Sequence, residues 1–346
     1  MSSTTHPATR DRAERRWRSP RWCRGLVASC LATTCLATTC LAATCLAATT
    51  VAGTGLGIAS AAPPVLDAAL VAAAASPPGV AAVPVVEAKT AQGPVAYREV
   101  GHGSPLVLIM GSSGTMDDWA PSFVDALAAH HRVVIFDNAG VGETAPVHPP
   151  LTITAMADQT SALITALGLG RPAVLGWSMG GMVAQALAVL HPSQVSRLIL
   201  AATQAGTGKA LPVPPAAAAA AASDNPKAVL SVLFPPGQVP VILRYVAAIA
   251  EYPNFYLVPA AIKAAQNTAI KQWLAGSDPA GREETSLRLP TLVADGTVDA
   301  LDPVANDHLL AQIIKGAQLV FYPGAGHGFW FQDESQFVAR ADQFLS

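Results

Sequence analysis

The sequence has no cysteine beyond its first 45 residues. All five cysteines lie in that N-terminal segment, at Cys23, Cys30, Cys35, Cys40 and Cys45. The rest of the chain therefore offers no disulfide bond, no thiol nucleophile and no cysteine-based metal site. No other metal-ligand cluster is recognisable, and the glycine-rich Gly53–Gly57 lies in the N-terminal leader and is not a dinucleotide-binding loop. We therefore predict neither a metal nor a cofactor.

Charged residues are also scarce, at 13% of the chain, with a formal net charge of −2. Seven arginines and two acidic residues lie within residues 1–61. Without that segment 14 basic and 21 acidic residues remain, which gives a net charge of −7. A protein that binds nucleic acid needs a basic surface to neutralise phosphates. We therefore expect no nucleic-acid partner.

The N-terminal segment is typical of an export signal. Seven arginines precede an uncharged stretch from Gly25 to Leu66, and Ala59-Ser60-Ala61 matches a small-x-small cleavage site. We predict that residues 1–61 are a signal peptide and that the protein is secreted by the Sec route, or by the twin-arginine route through Arg15-Arg16. We expect no stable membrane association after cleavage. An uncleaved membrane anchor is the alternative, because the stretch exceeds the ~20 residues that span a bilayer.

The remaining chain is predicted to be a linker and one large domain. Residues 62–82 are rich in alanine and proline, and residues 83–346 alternate short apolar runs with amphipathic helical patterns. The apolar runs are VPVVEAKT, PVAYREVG, PLVLIMG, RVVIFDN, PAVLGW, VSRLILAAT, PTLVADG and AQLVFYPG. This alternation predicts an α/β fold with a doubly wound, mostly parallel eight-stranded sheet. Residues 204–288 show only helical patterns, which predicts a helical cap inserted after strand 6.

The stretch GWSMGG places Ser178 between a buried strand and a buried helix. So short a crossing forces the turn residue into a sparsely allowed conformation, and side chains at Gly176 and Gly180 would collide. The turn is expected to expose the Ser178 hydroxyl beside the N–H of Met179 at the helix N-terminus. An acyl-transfer nucleophile needs this combination of hydroxyl and oxyanion donor.

A serine nucleophile also needs a base and an orienting carboxylate. His327 follows the last predicted strand, whereas the other histidines are not placed at a strand end. Asp299 follows the strand before it and is the favoured acid. Asp302, which resembles a helix N-cap, and Asp295, which ends the strand, are alternatives. The predicted triad is Ser178, Asp299 and His327.

With these motifs, the chain from about Val85 to the C-terminus resembles the α/β-hydrolase superfamily, in its capped branch of esterases, lipases, carbon–carbon hydrolases and perhydrolases. The elbow GWSMGG, the acid loop GTVD and the histidine loop GAGH carry the resemblance. It implies a second oxyanion donor in the loop IMGSSG, which by position is the N–H of Ser112. A serine nucleophile argues against epoxide hydrolases and haloalkane dehalogenases, which use a carboxylate.

These observations predict a secreted serine hydrolase that cleaves a small apolar carboxylic ester or related acyl compound. Carbon–carbon hydrolysis or perhydrolysis by the same triad is one alternative, and a low-turnover binding protein is another. Aromatic side chains of the elbow, cap and histidine loop are together candidates for an apolar substrate pocket, although any single one of them is more often part of the core. They are Trp177, Tyr245, Tyr256, Trp273 and Phe329.

Overall fold

The structure, a computed structural model, describes residues 78–254 and 256–346. The predicted signal peptide and most of the predicted linker lie outside these residues. No helix in the described ranges is long and apolar enough to cross a membrane.

An eight-stranded sheet forms the centre of the fold, as the sequence predicted. Its strands lie in the order β1-β2-β4-β3-β5-β6-β7-β8. β2 is antiparallel to both β1 and β4, and all other neighbours are parallel. The strands are β1 Val86–Thr90, β2 Gly93–Val100, β3 Ser104–Ile109, β4 His131–Phe136, β5 Ala173–Trp177, β6 Leu198–Ala201, β7 Thr291–Gly296 and β8 Gln318–Tyr322.

Helices cover both faces of this sheet because its central strands are apolar on both sides. They are α1 Pro121–Ala128, α2 Ile153–Ala166, α3 Met179–Leu190, α9 Ala305–Ile313, α10 Phe329–Gln332 and α11 Glu334–Leu345. Leu106 and Leu108 of β3 belong to a core cluster shared with α1 and α11. The alternate residues Val107 and Ile109 belong to a second cluster shared with α2, α3 and α9. The period of two along a strand thus divides the core into two layers.

The segment between β6 and β7 is helical in the described residues, which confirms the predicted insertion. It contains α4 Pro215–Ala221, α5 Pro226–Leu233, α6 Val239–Ile249, α7 Ala260–Leu274 and the single turn α8 Pro279–Arg282. α4 is the alanine tract, and Pro215 occupies its first turn, where a missing N–H costs nothing. This cap joins both core layers, through Tyr245 of α6 on one side and Trp273 of α7 on the other.

The packed domain begins earlier than the predicted boundary at residue 83. Val80 is fully buried in the first core cluster, within a 3₁₀ turn, Val80–Ala82. Its N–H donates to Oδ1 of Asp125 in α1 at 2.7 Å. Residues 80–82 are therefore part of the fold rather than of a linker, because an apolar side chain in an alanine- and proline-rich segment finds a buried site.

Candidate active site

Ser178 lies in a strained turn between β5 and α3. Its φ is 56° and its ψ is −124°, a combination that residues with a side chain rarely adopt. A Cβ atom at Gly176 would clash with the carbonyl oxygen of Gly180. A Cβ atom at Gly180 would clash with the carbonyl oxygen of Ile109. The predicted steric reason for both glycines is thereby confirmed.

The Ser178 backbone is fixed while its hydroxyl takes no part in helix capping. Its carbonyl accepts from Oγ1 of Thr203 at 2.7 Å and from the N–H of Gly181 at 2.9 Å. The side chain makes no capping hydrogen bond to α3 and is half-buried. Met179 begins α3, so its N–H has no acceptor within the helix and remains available as a donor.

His327 and Asp299 form a buried pair in the loops after β8 and β7. Nδ1 of His327 lies 2.6 Å from Oδ2 of Asp299. The side chains are 4% and 0% exposed, which protects this bond from competing water. Oδ1 of Asp299 accepts from the N–H groups of Leu301 and Asp302, at 2.6 and 2.9 Å. Of the three aspartates considered from the sequence, Asp299 is the one that contacts the imidazole of His327.

Trp177 connects the serine turn to the histidine loop. It immediately precedes Ser178, and its Nε1 donates to the carbonyl oxygen of His327 at 2.9 Å. The two rings also contact each other, with centroids 5.3 Å apart. Trp177 was predicted as a pocket residue. In the structure it also holds the histidine loop through its bond to the His327 carbonyl. A sequence pattern does not reveal this contact, because the two residues are 150 positions apart.

The loop after β3 runs beside the nucleophile turn. A Cβ atom at Gly111 would lie 3.2 Å from Cβ of Ser178. A glycine at this position therefore allows the loop to approach Ser178 closely. Ser112 follows and is half-buried. Ser113 has a φ of 62°, and its N–H donates to Oε1 of Gln266 in α7 at 2.8 Å. Gln266 is fully buried and was not found from the sequence.

The cap reaches the other loops of the site as well. The N–H of Gly328, next to His327, donates to the carbonyl of Leu233 at 2.8 Å. The Tyr245 hydroxyl donates to the carbonyl of Asp118 at 2.9 Å, and the Tyr256 hydroxyl donates to Oε1 of Glu143 at 3.1 Å. The cap therefore contacts the loops that follow β3, β4 and β8.

The aromatic residues predicted to line the pocket divide by burial. Trp273 and Phe329 have no exposed surface and pack as core, Trp273 through an additional Nε1 bond to the carbonyl of Gln204 at 3.0 Å. Tyr245 is 4% exposed and packs against aromatic rings of the first core cluster. Tyr256 is half-buried and keeps access to solvent. Burial thus fits the core interpretation for Trp273 and Phe329.

Asp302 is not the helix cap that its place before Pro303 predicted. α9 begins at Ala305 with Val304 at the cap position and no capping side chain. Asp302 instead turns inward, where its Oδ1 accepts from Nδ2 of Asn306 at 2.8 Å. It lies there with Asp295 and Asp307, and one carboxylate oxygen of each is within 4.8 Å of the others.

Burial changes the acidity of these three aspartates. Loss of water raises the pKa of Asp295 and Asp302 well above the ordinary aspartate value, and neighbouring carboxylates raise it further. Burial also raises the pKa of Asp307, to about 8. The sequence indicated no such cluster, because the three residues are separated along the chain.

The sheet order, the strained serine between glycines and the histidine–aspartate pair define an α/β-hydrolase architecture. A family described as the α/β hydrolase fold matches residues 104–234. The chain has the α/β-hydrolase fold.

Comparison with individual proteins gives relatives of different activities. The chain is 42% identical over 111 residues to a Mycobacterium tuberculosis protein named as non-heme bromoperoxidase BpoC; the match covers 32% of this chain and 42% of that protein. It is 29% identical over 277 residues to a Caulobacter protein named as carbamate hydrolase RutD, covering 72% of this chain and 95% of the relative. The chain thus spans less than half of the first relative and nearly all of the second.

A solved structure supports the same fold. An α/β hydrolase fold protein from Chitinophaga pinensis superposes with a TM-score of 0.68 and 27% sequence identity, covering 78% of this chain and 99% of that one. The two relatives differ in the activity for which they are named.

Proposed function

We propose that the protein is a serine hydrolase that cleaves carboxylic esters through an acyl-enzyme on Ser178. The observation that carries the proposal is the strained, half-buried serine at the start of α3 together with the buried 2.6 Å pair of His327 and Asp299. This arrangement places a nucleophile and an oriented imidazole at the same edge of the sheet.

In the proposed reaction, His327 takes the proton of the Ser178 hydroxyl as the oxygen attacks the ester carbonyl. Asp299 accepts from Nδ1, so that Nε2 is the basic nitrogen, and it stabilises the imidazolium that forms. The imidazolium then protonates the leaving alcohol. In the second half, His327 activates water, which attacks the acyl-enzyme and releases the acid.

The proposed oxyanion donors are the N–H groups of Met179 and Ser112. The first lies at the start of α3, where the helix dipole favours negative charge. The second lies in the loop that Gly111 brings against Ser178. Loss of one such donor typically lowers kcat by about 10²–10³-fold.

The substrate is proposed to be a small apolar ester. The cap contacts the loops after β3 and β8, so it covers the carboxyl edge of the sheet and limits water there. Tyr256 remains a proposed pocket residue. Carbamate hydrolysis is the second candidate, because the relative named as a carbamate hydrolase matches over 95% of its length. The attacked carbonyl and the oxyanion are common to both reactions.

We also propose that the protein is exported and that residues 1–61 are removed. The support is the sequence alone: an arginine-rich head, an uncharged stretch and an A-S-A site. Mass spectrometry of secreted material would place the new N-terminus near Ala62. Recovery of the full-length chain in carbonate-washed membranes would instead support the anchor.

The hydrolase proposal is tested with p-nitrophenyl butyrate and wild-type protein, Ser178→Ala and Ser231→Ala. Ser231 is an exposed cap serine, so its variant controls for loss of any hydroxyl. We expect Ser178→Ala to lose at least about 10³-fold in kcat and Ser231→Ala to match wild type. Intact-mass measurement during turnover should show one acyl group on wild type.

The same assay separates the alternatives. Turnover that persists in Ser178→Ala would exclude the acyl-enzyme mechanism. Binding of the ester without any turnover by wild type would support a binding protein. Faster turnover of an aryl carbamate than of the matched ester would support the second candidate.

A further inference from the structure

The backbone of Ser178 is held at both its N–H and its carbonyl by the chain of the neighbouring strand. β5 and β6 pair in parallel, with Trp177 opposite Ala201. The N–H of Ser178 donates to the carbonyl of Ala201 at 2.9 Å, as in a regular ladder. The same register would give the Ser178 carbonyl a donor from residue 203. The donor that Thr203 supplies is its hydroxyl, at 2.7 Å.

The residue between these two contacts has a strained backbone. Ala202 has a φ of 48°, in the left-handed region that residues with a side chain rarely adopt. Its own N–H is held by the carbonyl of Ala294 in β7 at 2.9 Å. Ala202 therefore lies at the point where β6 stops pairing through its backbone and Thr203 continues the pairing through its hydroxyl.

Gly181, in the first turn of α3, leaves room for the side chain of Thr203. A Cβ atom at Gly181 would lie 2.5 Å from Cγ2, 2.6 Å from Cβ and 2.7 Å from Oγ1 of that threonine. Any other residue at this position would push Thr203 away from the Ser178 carbonyl. Thr203 is 1% exposed, so little water competes for its hydrogen bond. The close approach at Gly181 is therefore a condition for the bond from Thr203.

The peptide bond that Thr203 contacts also carries one of the proposed oxyanion donors. The carbonyl of Ser178 and the N–H of Met179 belong to one planar trans peptide, so they point in opposite directions. A hydrogen bond to the carbonyl therefore fixes the direction of the N–H, and it also polarises the amide, which makes the N–H a stronger donor. The N–H groups of Gly181 and Met182 reach the same carbonyl at 2.9 and 3.4 Å, but both belong to α3. Thr203 is the donor that comes from another element and ties this peptide to the sheet.

We propose that Thr203 is a positioning residue of the oxyanion hole and acts through the peptide bond between Ser178 and Met179. This role rests on the proposed serine-hydrolase mechanism. The Thr203 hydroxyl holds the peptide against the end of β6 while negative charge develops on the substrate oxygen. Because that charge exists in the transition state and not in the bound ester, loss of the bond lowers kcat and leaves KM nearly unchanged.

The test compares Thr203→Val, which keeps the shape of the side chain and removes the hydroxyl, with Thr203→Ser, which keeps the hydroxyl. Steady-state kinetics on p-nitrophenyl butyrate gives kcat and KM. Inhibition by n-butylboronic acid, whose tetrahedral adduct with a serine places an oxygen in the oxyanion hole, gives a Ki. We expect Thr203→Val to lower kcat about tenfold and to raise this Ki by about the same factor, with little change in KM. Thr203→Ser should stay within about threefold of wild type in kcat and in Ki.

Thr160→Val is the matched control. Thr160 is fully buried and its hydroxyl donates to a main-chain carbonyl, that of Met156, at 2.9 Å, but it lies within α2 rather than at the serine turn. This variant should lower Tm and leave kcat and the boronate Ki as in wild type. If Thr203→Val does not fold, Thr203→Ala takes its place in the comparison with Thr203→Ser.

The possible outcomes separate this role from the proposed function. Wild-type kcat in folded Thr203→Val overturns the role of Thr203, and so does an equal loss in Thr203→Ser. A lower kcat with an unchanged boronate Ki also overturns it, because the effect would then lie outside the oxyanion hole. Turnover that persists in Ser178→Ala overturns the proposed function instead. A wild type that neither hydrolyses the ester nor binds the boronate overturns both.

Discussion

The N–H of Ser113 donates to the side chain of Gln266 at 2.8 Å, across 153 residues of the chain. Gln266 lies in cap helix α7 and Ser113 lies in the loop proposed to stabilise the oxyanion. Ser113 has a φ of 62°, a conformation that needs support from its surroundings. The cap thus holds the loop that carries Ser112.

We expect Gln266→Leu to lower kcat about tenfold or more with a smaller change in KM, because the loop loses its acceptor. Gln266→Glu keeps an oxygen for the Ser113 N–H and should retain more of kcat than the leucine variant. Steady-state kinetics on p-nitrophenyl butyrate gives both values. Equal kcat in Gln266→Leu and wild type would show that the contact does not position the loop.

Strain at Ser178 predicts a gain in stability when the side chain is removed. Glycine adopts φ 56° and ψ −124° with little cost, whereas serine and alanine do not. Ser178→Gly should therefore be inactive and more stable than Ser178→Ala by about 1–2 kcal/mol. Urea denaturation of the two inactive variants measures this difference. Equal midpoints would mean that the turn stores no strain.

The bond from Trp177 to the His327 carbonyl predicts a positioning effect. Trp177→Phe keeps an aromatic ring but leaves a buried carbonyl without its donor, at a cost of about 1–3 kcal/mol. We expect lower kcat with KM little changed, and a lower Tm. Wild-type kcat in a destabilised variant would limit Trp177 to a structural role.

Burial of Trp273 predicts that it governs stability rather than acyl-chain selectivity. Trp273→Ala should cost about 3–5 kcal/mol of folding free energy, since the side chain is fully buried. Tyr256→Ala should leave the fold intact and change the preferred length among C2 to C12 p-nitrophenyl esters. Each methylene that enters an apolar pocket adds up to about fourfold to kcat/KM. A chain-length preference identical to wild type in Tyr256→Ala would remove this residue from the pocket.

A buried carboxyl near β4 predicts a loss of stability as the pH rises. Burial raises the pKa of Asp137 to about 7, although the Met116 N–H donates to it at 2.7 Å. The folded state therefore binds a proton that the unfolded state has lost above pH 4. The stability from this group is present in acid and declines between about pH 4 and 7, by a few kcal/mol at most. Asp137→Asn should flatten the dependence of Tm on pH over that range. A slope equal to that of wild type would contradict the raised pKa.

Local patterns were sufficient to predict the sheet, the cap and the pairing partner of His327. The strands are short apolar runs bounded by turn residues, and the glycines around Ser178 follow from sterics. Asp299 was favoured over Asp302 and Asp295 because it follows the end of β7, and it is the residue that contacts His327.

Contacts between distant segments were not predictable in the same way. Gln266 is one of six polar residues in α7, and nothing in their pattern singles it out. Its partner lies on a loop whose path depends on the whole sheet. The turn of Asp302 away from the start of α9 depends on the side chain of Asn306 and on the packing of Asp307. A periodic pattern shows which face of a helix or strand is buried, but it does not show which distant residue packs against that face.

The cap is inserted between β6 and β7, and this position has a consequence for the order of synthesis. Ser178 is made before the cap, whereas Asp299 and His327 are made after it. A nascent chain that stops anywhere in residues 202–290 contains the serine turn but neither of the groups proposed to activate it. The final segment of the chain supplies Asp299 and His327, and it also contributes β7 and β8, which complete the sheet. If the proposed mechanism is correct, a chain that ends within the cap has no hydrolase activity. The protein becomes active only after the last two strands have been synthesised.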